Sequence, residues 1–475
     1  MSADKRGRTR QHTAIAWFRR DLRIRDQPAL EAARGADALV AVFVLDERLL
    51  HGRHASGPRT QFLLECLHDL DAALRDRGSR LVIRHGDPAR ELADLARHTG
   101  ATEVHCSADV GPFARRRDDE VAAALRAEGV ALHEHPGVTA VDDVGAVCTK
   151  AGTPFTVFTP FHRAWLATPR RDVVRAPSSL PPLPRGVTAG AIPDLSALGL
   201  VQEVDDPPPG GEQAARRRLD AFLRADVSDY ADEHDALGHD RTSRLSPYLH
   251  FGCLTPRQIE ERLPRGAGAA AFRRQLAWRD FYHYVLVHFP ANARREFQER
   301  YRDGALPWND DGDAFAAWCE GRTGFPLVDA GMRQLRREGW MHNRARLVVG
   351  SFLTKDLGID WRWGERWFMR LLIDGDEANN NGNWQWIASV GVDPQPAYRR
   401  MYNPAAHMER FDPRGAYVRR YVPALREVPD RWLREPWTMP EEVQREAGCV
   451  IGRDYPAPIV DRREARRAAL ERFRV

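Results

Sequence analysis

From Ile15 to about His135, short runs of apolar and β-branched residues alternate with stretches whose apolar positions recur every three or four residues. The short runs cover residues 15–18, 39–45, 81–84, 104–107 and 131–133. Between Arg59 and Arg77, the residues Phe62, Leu63, Cys66, Leu67, Leu70 and Leu74 fall on one helical face, and residues 112–126 repeat the pattern. Alternating strand and helix predict a Rossmann-like α/β domain over 13–140 with a parallel sheet, since parallel neighbours need a crossover and the usual crossover is a helix. No GxGxxG follows the first strand, so the dinucleotide fingerprint is missing while a ligand at the sheet's carboxyl edge stays open.

Prolines and glycines cluster between roughly Ala167 and Gly211, where no period survives, and residues 141–211 read as a linker. From Glu212 onward helical patterns dominate, over 213–224, 256–263, 269–288, 313–320, 326–339, 343–355 and 361–373. A nearly all-α second domain is expected over 212–475.

At 475 residues the chain exceeds one hydrophobic core, and two or three domains are expected. No apolar run is long enough to span a bilayer, so a membrane role is not expected. The charged first residues lack the apolar stretch of a secretory signal and read as a frayed tail. The six cysteines are scattered with no CxxC pair, which suggests neither a disulfide framework nor a zinc cluster, and no metal is expected. The net charge of +4 announces no polyanion partner, although a local basic groove would vanish in that sum.

Of the 13 tryptophans, two precede residue 200 and eleven lie between Trp278 and Trp437. A well-filled helical core is one reading. Yet Trp278 is followed by Arg279 and Asp280, Trp340 by Met341-His342-Asn343-Arg344, and Trp384 and Trp386 flank Gln385 after Asn379-Asn380-Asn381-Gly382. Aromatics interleaved with arginine and amides equally suit stacking on a planar heterocycle or a base. Thr242 to Ser246 offers hydroxyls and backbone N–H groups to a phosphate, or serves only as a helix cap. Asp374 and Asp376 read as a metal pair or a surface turn.

Ordered motifs then narrow the choice. Trp17-Phe-Arg-Arg-Asp-Leu-Arg23, Thr242-Ser-Arg-Leu-Ser-Pro-Tyr-Leu-His-Phe-Gly252, Trp278-Arg-Asp-Phe-Tyr282, Gly324-Phe-Pro-Leu-Val-Asp-Ala-Gly-Met-Arg-Gln-Leu335, Gly339-Trp-Met-His-Asn-Arg344, Ile373-Asp-Gly-Asp376 and Trp384-Gln-Trp386 follow one another along the chain. In wording and spacing they resemble the DNA photolyase and cryptochrome family over almost the whole length, and the class I cyclobutane-dimer photolyases in particular. The resemblance implies an α/β antenna domain, a long linker and a helical domain holding a folded FAD.

It also implies roles. Tyr230, Thr242, Ser243, Arg244, Leu245, Ser246 and Arg279 resemble cofactor contacts, Arg279 as a bidentate donor to the phosphates. Asp374 and Asp376 resemble residues near the flavin and the adenosine ribose, Arg346 the ion-pair partner of Asp374, and Asn380 the amide facing flavin N5. Trp384, Trp361 and Trp308 align with the family's electron-transfer tryptophans. Trp278 and Trp386 resemble the aromatic walls around a flipped dimer, with Gln275, Asn343 and Arg344 as further lesion contacts. The implied reaction is repair of cyclobutane pyrimidine dimers in UV-damaged DNA by electron transfer from photoexcited reduced FAD. A monomer in the bacterial cytoplasm with the nucleoid, needing no protein partner, is expected.

Two positions depart from the best-known dimer photolyases: Gln275 stands for a glutamate, and Leu347 for a methionine. Gly86-Asp-Pro88 and Asp109-Val-Gly-Pro-Phe113 resemble the deazaflavin-binding members more than those that use methenyltetrahydrofolate, although Gly111 replaces a glutamate sometimes found there. The alternatives are a cryptochrome-like blue-light receptor, for which a C-terminal extension beyond Arg462 to Val475 is expected, or repair of (6-4) photoproducts. An NAD-type oxidoreductase is weakened by the missing glycine fingerprint.

Overall fold

The computed structural model describes residues 12–393 and 395–474, so most of the N-terminal tail lies outside the described residues. Five strands, β1 (Thr13–Phe18), β2 (Ala38–Leu45), β3 (Leu81–His85), β4 (Glu103–Ser107) and β5 (Ala131–His135), form one all-parallel sheet in the order β3-β2-β1-β4-β5. Each run expected from the sequence is a strand. The connecting helices are α1 (Pro28–Ala33), α2 (Glu47–Leu50), α3 (Gly57–Arg75), α4 (Pro88–Thr99) and α5 (Pro112–Ala127).

Alternate strand residues serve opposite faces. Ile15, Trp17, Val40, Val42, Val104 and Cys106 pack with Leu92, Leu95, Val121 and Leu125 of α4 and α5. Ala14, Ala16, Phe18, Leu39, Ala41 and Phe43 face Leu30 of α1 and Phe62, Leu67 and Leu70 of α3, in a core that runs on into the helical half through Phe222, Tyr248, Phe251 and Ile373. The strand order reverses between β2-β1 and β4-β5, which opens a crevice at the carboxyl ends of β1 and β4. The Arg19-Arg20 pair leaves β1 there.

α6 (Phe158–Ala167) follows the sheet, and from Thr168 to Gly211 the chain runs irregularly, with one 3₁₀ turn at Ser196–Leu198. The helical half begins with α7 (Glu212–Ala225), α8 (Tyr230–Glu233), α9 (Ser246–His250), α10 (Pro256–Arg262) and α11 (Ala267–His288). It continues through α12 (Gly312–Glu320), α13 (Pro326–Glu338), α14 (Asn343–Ser351), α15 (Trp361–Leu371) and α16 (Glu377–Ala388). The helix expected over 343–355 is α-helical only to Ser351, and Phe352–Asp356 forms one π-helical turn. α16 escapes the periodicity reading, since its first two turns are Asn379, Asn380, Asn381, Gly382 and Asn383. It starts because the Asp376 side chain accepts the Asn379 N–H at 2.9 Å as an N-cap.

Candidate functional site

α11 and α16 carry the centre of the site and touch through a glycine. A Cβ on Gly382 would lie 2.1 Å from Tyr282 Cδ1, so only glycine lets the α16 backbone pack this closely on the Tyr282 ring of α11. On α11, Gln275 and Trp278 are half-buried neighbours one turn apart. On α16, Asn380 is buried, and its Nδ2 donates to the Glu365 carbonyl at 3.0 Å. That orients the amide and leaves its oxygen without a protein donor among the described residues.

Trp278 and Trp386 are each held in place by a neighbouring side chain. Trp278 stacks on Phe158 of α6 at a centroid distance of 3.6 Å and an interplanar angle of 5°. The Arg400 guanidinium lies 4.1 Å from the Trp386 ring centroid and donates to the Trp386 carbonyl at 2.8 Å and to Asp393 at 2.7 Å. Asn343 is exposed at the start of α14, and Leu347 is half-buried one turn on. Arg344 pairs with Asp235 and covers Phe411 at 4.4 Å.

The loop 242–246 is tied down through its carbonyls and side chains. Arg218 donates to the carbonyls of Thr242 at 2.6 Å and Ser243 at 2.7 Å, which turns these oxygens away from any anion at the loop. Arg244 holds a left-handed φ of 49°, a strained state for a non-glycine residue. Its guanidinium is fixed by Asp240 at 2.5 Å and Glu338 at 2.9 Å, and lies 4.3 Å from the Trp340 ring centroid. Trp340 Nε1 donates to Ser246 Oγ at 3.2 Å, Thr242 Oγ1 donates to Asp240, and Leu245 is buried. Tyr230 is buried edge-on to Phe272 at 5.1 Å and Phe222 at 5.6 Å, and this burial raises its hydroxyl pKa.

Arg346 and Asp374 form a two-pronged ion pair at 2.8 and 3.3 Å, and Arg346 Nε donates to the Met341 carbonyl at 2.8 Å. Asp376 has a different setting from its neighbour. One oxygen caps α16, and the other lies 2.8 Å from Arg20 Nη2, 3.5 Å from His283 Nε2 and 3.9 Å from His250 Nδ1. Burial alone would raise this carboxyl, but His283, Arg20 and His250 together hold it well below the usual carboxylate range. Arg279 donates to the carbonyls of Val138 at 2.8 Å and Leu249 at 3.3 Å, so its guanidinium joins the sheet domain to α9.

Trp384 and Trp361 are buried, 3% and 1% exposed, and Trp308 is half-buried. Trp384 lies edge-on to Phe368 at 5.0 Å, and a Cβ on Gly364 would lie 2.2 Å from it, so its indole rests on α15, the helix that Trp361 begins. Trp361 Nε1 points at Glu296 at 3.4 Å, and Trp308 meets Phe473 edge-on at 6.0 Å.

Two descriptions of protein families match the chain: "DNA photolyase" over residues 14–184, and "FAD binding domain of DNA photolyase" over residues 272–475. It is 43% identical over 470 residues to the deoxyribodipyrimidine photo-lyase of Streptomyces griseus, covering 97% of this chain and 99% of that one. The chain belongs to the DNA photolyase family. Among solved structures it matches a bacterial class III photolyase from Agrobacterium tumefaciens with a TM-score of 0.92 and 34% identity, covering 99% of each chain. It also matches a cryptochrome of Synechocystis with a TM-score of 0.88 and 28% identity, over 97% of this chain and 98% of the other. The comparisons thus fix the family and leave the class I reading of the motifs unsupported, because the class named among these matches is class III.

FAD is the family's cofactor, and the photolyase pocket suits it. Arg20 Nε, Arg244 Nε, His250 Nδ1 and Arg344 Nε are buried polar atoms without a hydrogen-bond partner among the described residues, and all belong to side chains in or beside the site. A bound dinucleotide offers phosphate and hydroxyl acceptors of the kind such groups lack. Sequence reasoning missed Arg20, His250 and His283 around Asp376, and Arg400 beneath Trp386. Arg20 stood in the Trp17–Arg23 motif, but nothing local signals that it reaches Asp376, 356 positions away. Among the described residues no helix is long and apolar enough to cross a membrane.

Proposed function

We propose that this photolyase-family chain is a deoxyribodipyrimidine photo-lyase, which repairs cyclobutane pyrimidine dimers in UV-damaged DNA in a light-dependent reaction. The observation that carries the reading is the 43% identity to the Streptomyces griseus photo-lyase along nearly the whole of both chains. Reduced FAD, when bound, supplies the electron that light releases. The residues do the rest. The loop 242–246, with Tyr230 and Arg244, holds the cofactor's phosphates, while the Arg346–Asp374 pair and the Asn380 carbonyl orient its reacting end and hold a proton there. Arg279 is a further donor to the phosphates and Asp376 lies toward the adenosine ribose, while their bonds to Val138, Leu249 and Arg20 hold the two domains together around them.

A dimer flipped from the duplex leaves its stack at a cost of a few kcal/mol, least where pairing is already damaged, and that difference selects the lesion. Trp278 and Trp386 replace the lost stacking. The Gln275 amide donates to a pyrimidine carbonyl where a glutamate would need its proton. Asn343, exposed beside Arg344, meets the lesion strand, and Trp384, Trp361 and Trp308 carry electrons inward from the surface.

The finer class is proposed as class I from the motif wording, and similarity to a class III photolyase at 34% identity supports class III as the second reading. A deazaflavin antenna, rather than methenyltetrahydrofolate, is proposed at the carboxyl edge of the sheet. Phe113 there lies 5.3 Å from the Arg48 guanidinium and 5.9 Å from that of Arg117. The absorption spectrum of the holoprotein distinguishes the two pigments. Similarity to a cryptochrome supports a second reading, a blue-light receptor. Illumination of the reduced holoprotein with a dimer-containing oligonucleotide decides between them. Recovery of intact thymines under blue light and none in darkness is the expected result, and lesion binding without recovery would reject the enzyme.

A further inference from the structure

α6 lies in the stretch read from the sequence as a mere linker, and its first residue, Phe158, meets Trp278 face to face. Phe281 closes edge-on against both rings at 5.8 Å, and His162 stacks on Phe158 at 5.4 Å. Phe158 is 5% exposed and belongs to a core that includes Phe161, Trp165 and Tyr284, whereas Trp278 is half-buried at its margin. The stack is therefore anchored at the Phe158 end, while Trp278, which also packs against Tyr282, Leu286, Ala293 and Ala378, stays partly exposed. On α11 itself Phe281 meets Trp278 only edge-on and Tyr282 sits 5.8 Å away at a tilt of 29°, so neither offers the close parallel face that Phe158 does.

A partly exposed indole with one free face samples several rotamers, and binding must then order it. An indole already pressed on a flat ring is ordered beforehand. We propose that Phe158 is a positioning residue for lesion recognition: through its stack it presets the plane of Trp278 against which a flipped pyrimidine pair packs. The proposal rests on the reading of Trp278 as a wall of the lesion pocket. It gives part of the linker a place in recognition, with no contact between Phe158 and DNA.

The test measures affinity of the FAD-loaded protein for a dimer-containing oligonucleotide in darkness. Phe158→Ala and Phe158→Leu should each weaken binding roughly two- to tenfold, the cost of immobilising one side chain on binding. Phe158→Tyr, which keeps the flat face, should restore it. In all three the flavin spectrum and the yield of repair per absorbed photon by the saturated complex should match the parent. In a Trp278→Ala background, Phe158→Leu should cost nothing more, because the ring it positions is gone. Parental affinity in Phe158→Leu, or an equal loss with and without Trp278, would overturn the proposal. A Trp278→Ala protein that binds dimers as tightly as the parent would instead overturn the lesion-wall reading on which it stands.

Discussion

At the scale of single residues, the site sets groups whose ordinary chemistry would be unsuitable. His342, 1% exposed at the N-cap of α14, accepts the Arg344 N–H at 3.1 Å, and burial brings its pKa from 6.5 to about 4 against the pull of Asp240 and Asp235. The folded imidazole thus stays neutral where the unfolded one takes a proton. Between these two values the unfolded state binds more protons, so stability rises with pH and is lost on acidification. The window runs from 6.5 down to about 4. Across it the loss reaches up to about 3 kcal/mol, because a tenfold change in proton affinity is worth about 1.4 kcal/mol. His342→Asn keeps a cap acceptor and removes the titration. Denaturant unfolding at several pH values should show a shallower acid limb in this variant, and parallel limbs would contradict the neutral buried imidazole.

At the scale of elements, function depends on how closely α11 and α16 approach. Trp278 and Gln275 ride on one helix, Asn380 and Trp386 on the other, and Gly382 against Tyr282 sets their separation. Gly382→Ala should cost roughly 1–3 kcal/mol of stability, as overpacking does, and should also loosen FAD retention by spreading the helices. Chemical unfolding and flavin release on dilution measure the two effects. A variant with parental values in both would show that the contact yields without consequence. α16 also marks where periodicity fails as a signal: a helix buried on several sides, whose amide side chains bond to neighbouring elements, has no apolar stripe to read.

At the scale of the molecule, the two halves share a core and a buried charge network. Arg20 leaves β1 at the crevice of the sheet and meets Asp376 at the start of α16, so the sheet domain orders the N-cap of a helix in the helical half. Removing one member of a buried pair strands the other. Arg20→Met should therefore lower stability by roughly 3–5 kcal/mol and weaken FAD binding together. Thermal unfolding with and without added FAD tests both, and loss of stability with unchanged FAD affinity would confine Arg20 to the domain interface. The three tryptophans run within the helical half, from the half-buried Trp308 to the buried Trp361 and Trp384. Trp308→Phe should slow photoreduction of oxidised FAD while repair by protein reduced beforehand continues at the parental rate. Equal loss of both would remove Trp308 from the path.

The five strands, the irregular stretch before Gly211 and most helices of the second half were legible in the order of residues. Strand alternation, helical spacing and breakers are local properties, and each is written within a few positions. The family motifs were legible for the same reason, being contiguous runs that preserve chemistry in place. What surrounds Asp376, what supports Trp278 and what holds Trp386 were not. These contacts join residues more than a hundred positions apart, or lie outside any motif, and depend on strand order and the crossing of helices. The order of residues thus carried the strands, most helices and the family motifs, because these are encoded locally. Only the tertiary structure decided which partners fix the motif side chains in place, because burial and charge pairing arise when distant segments meet.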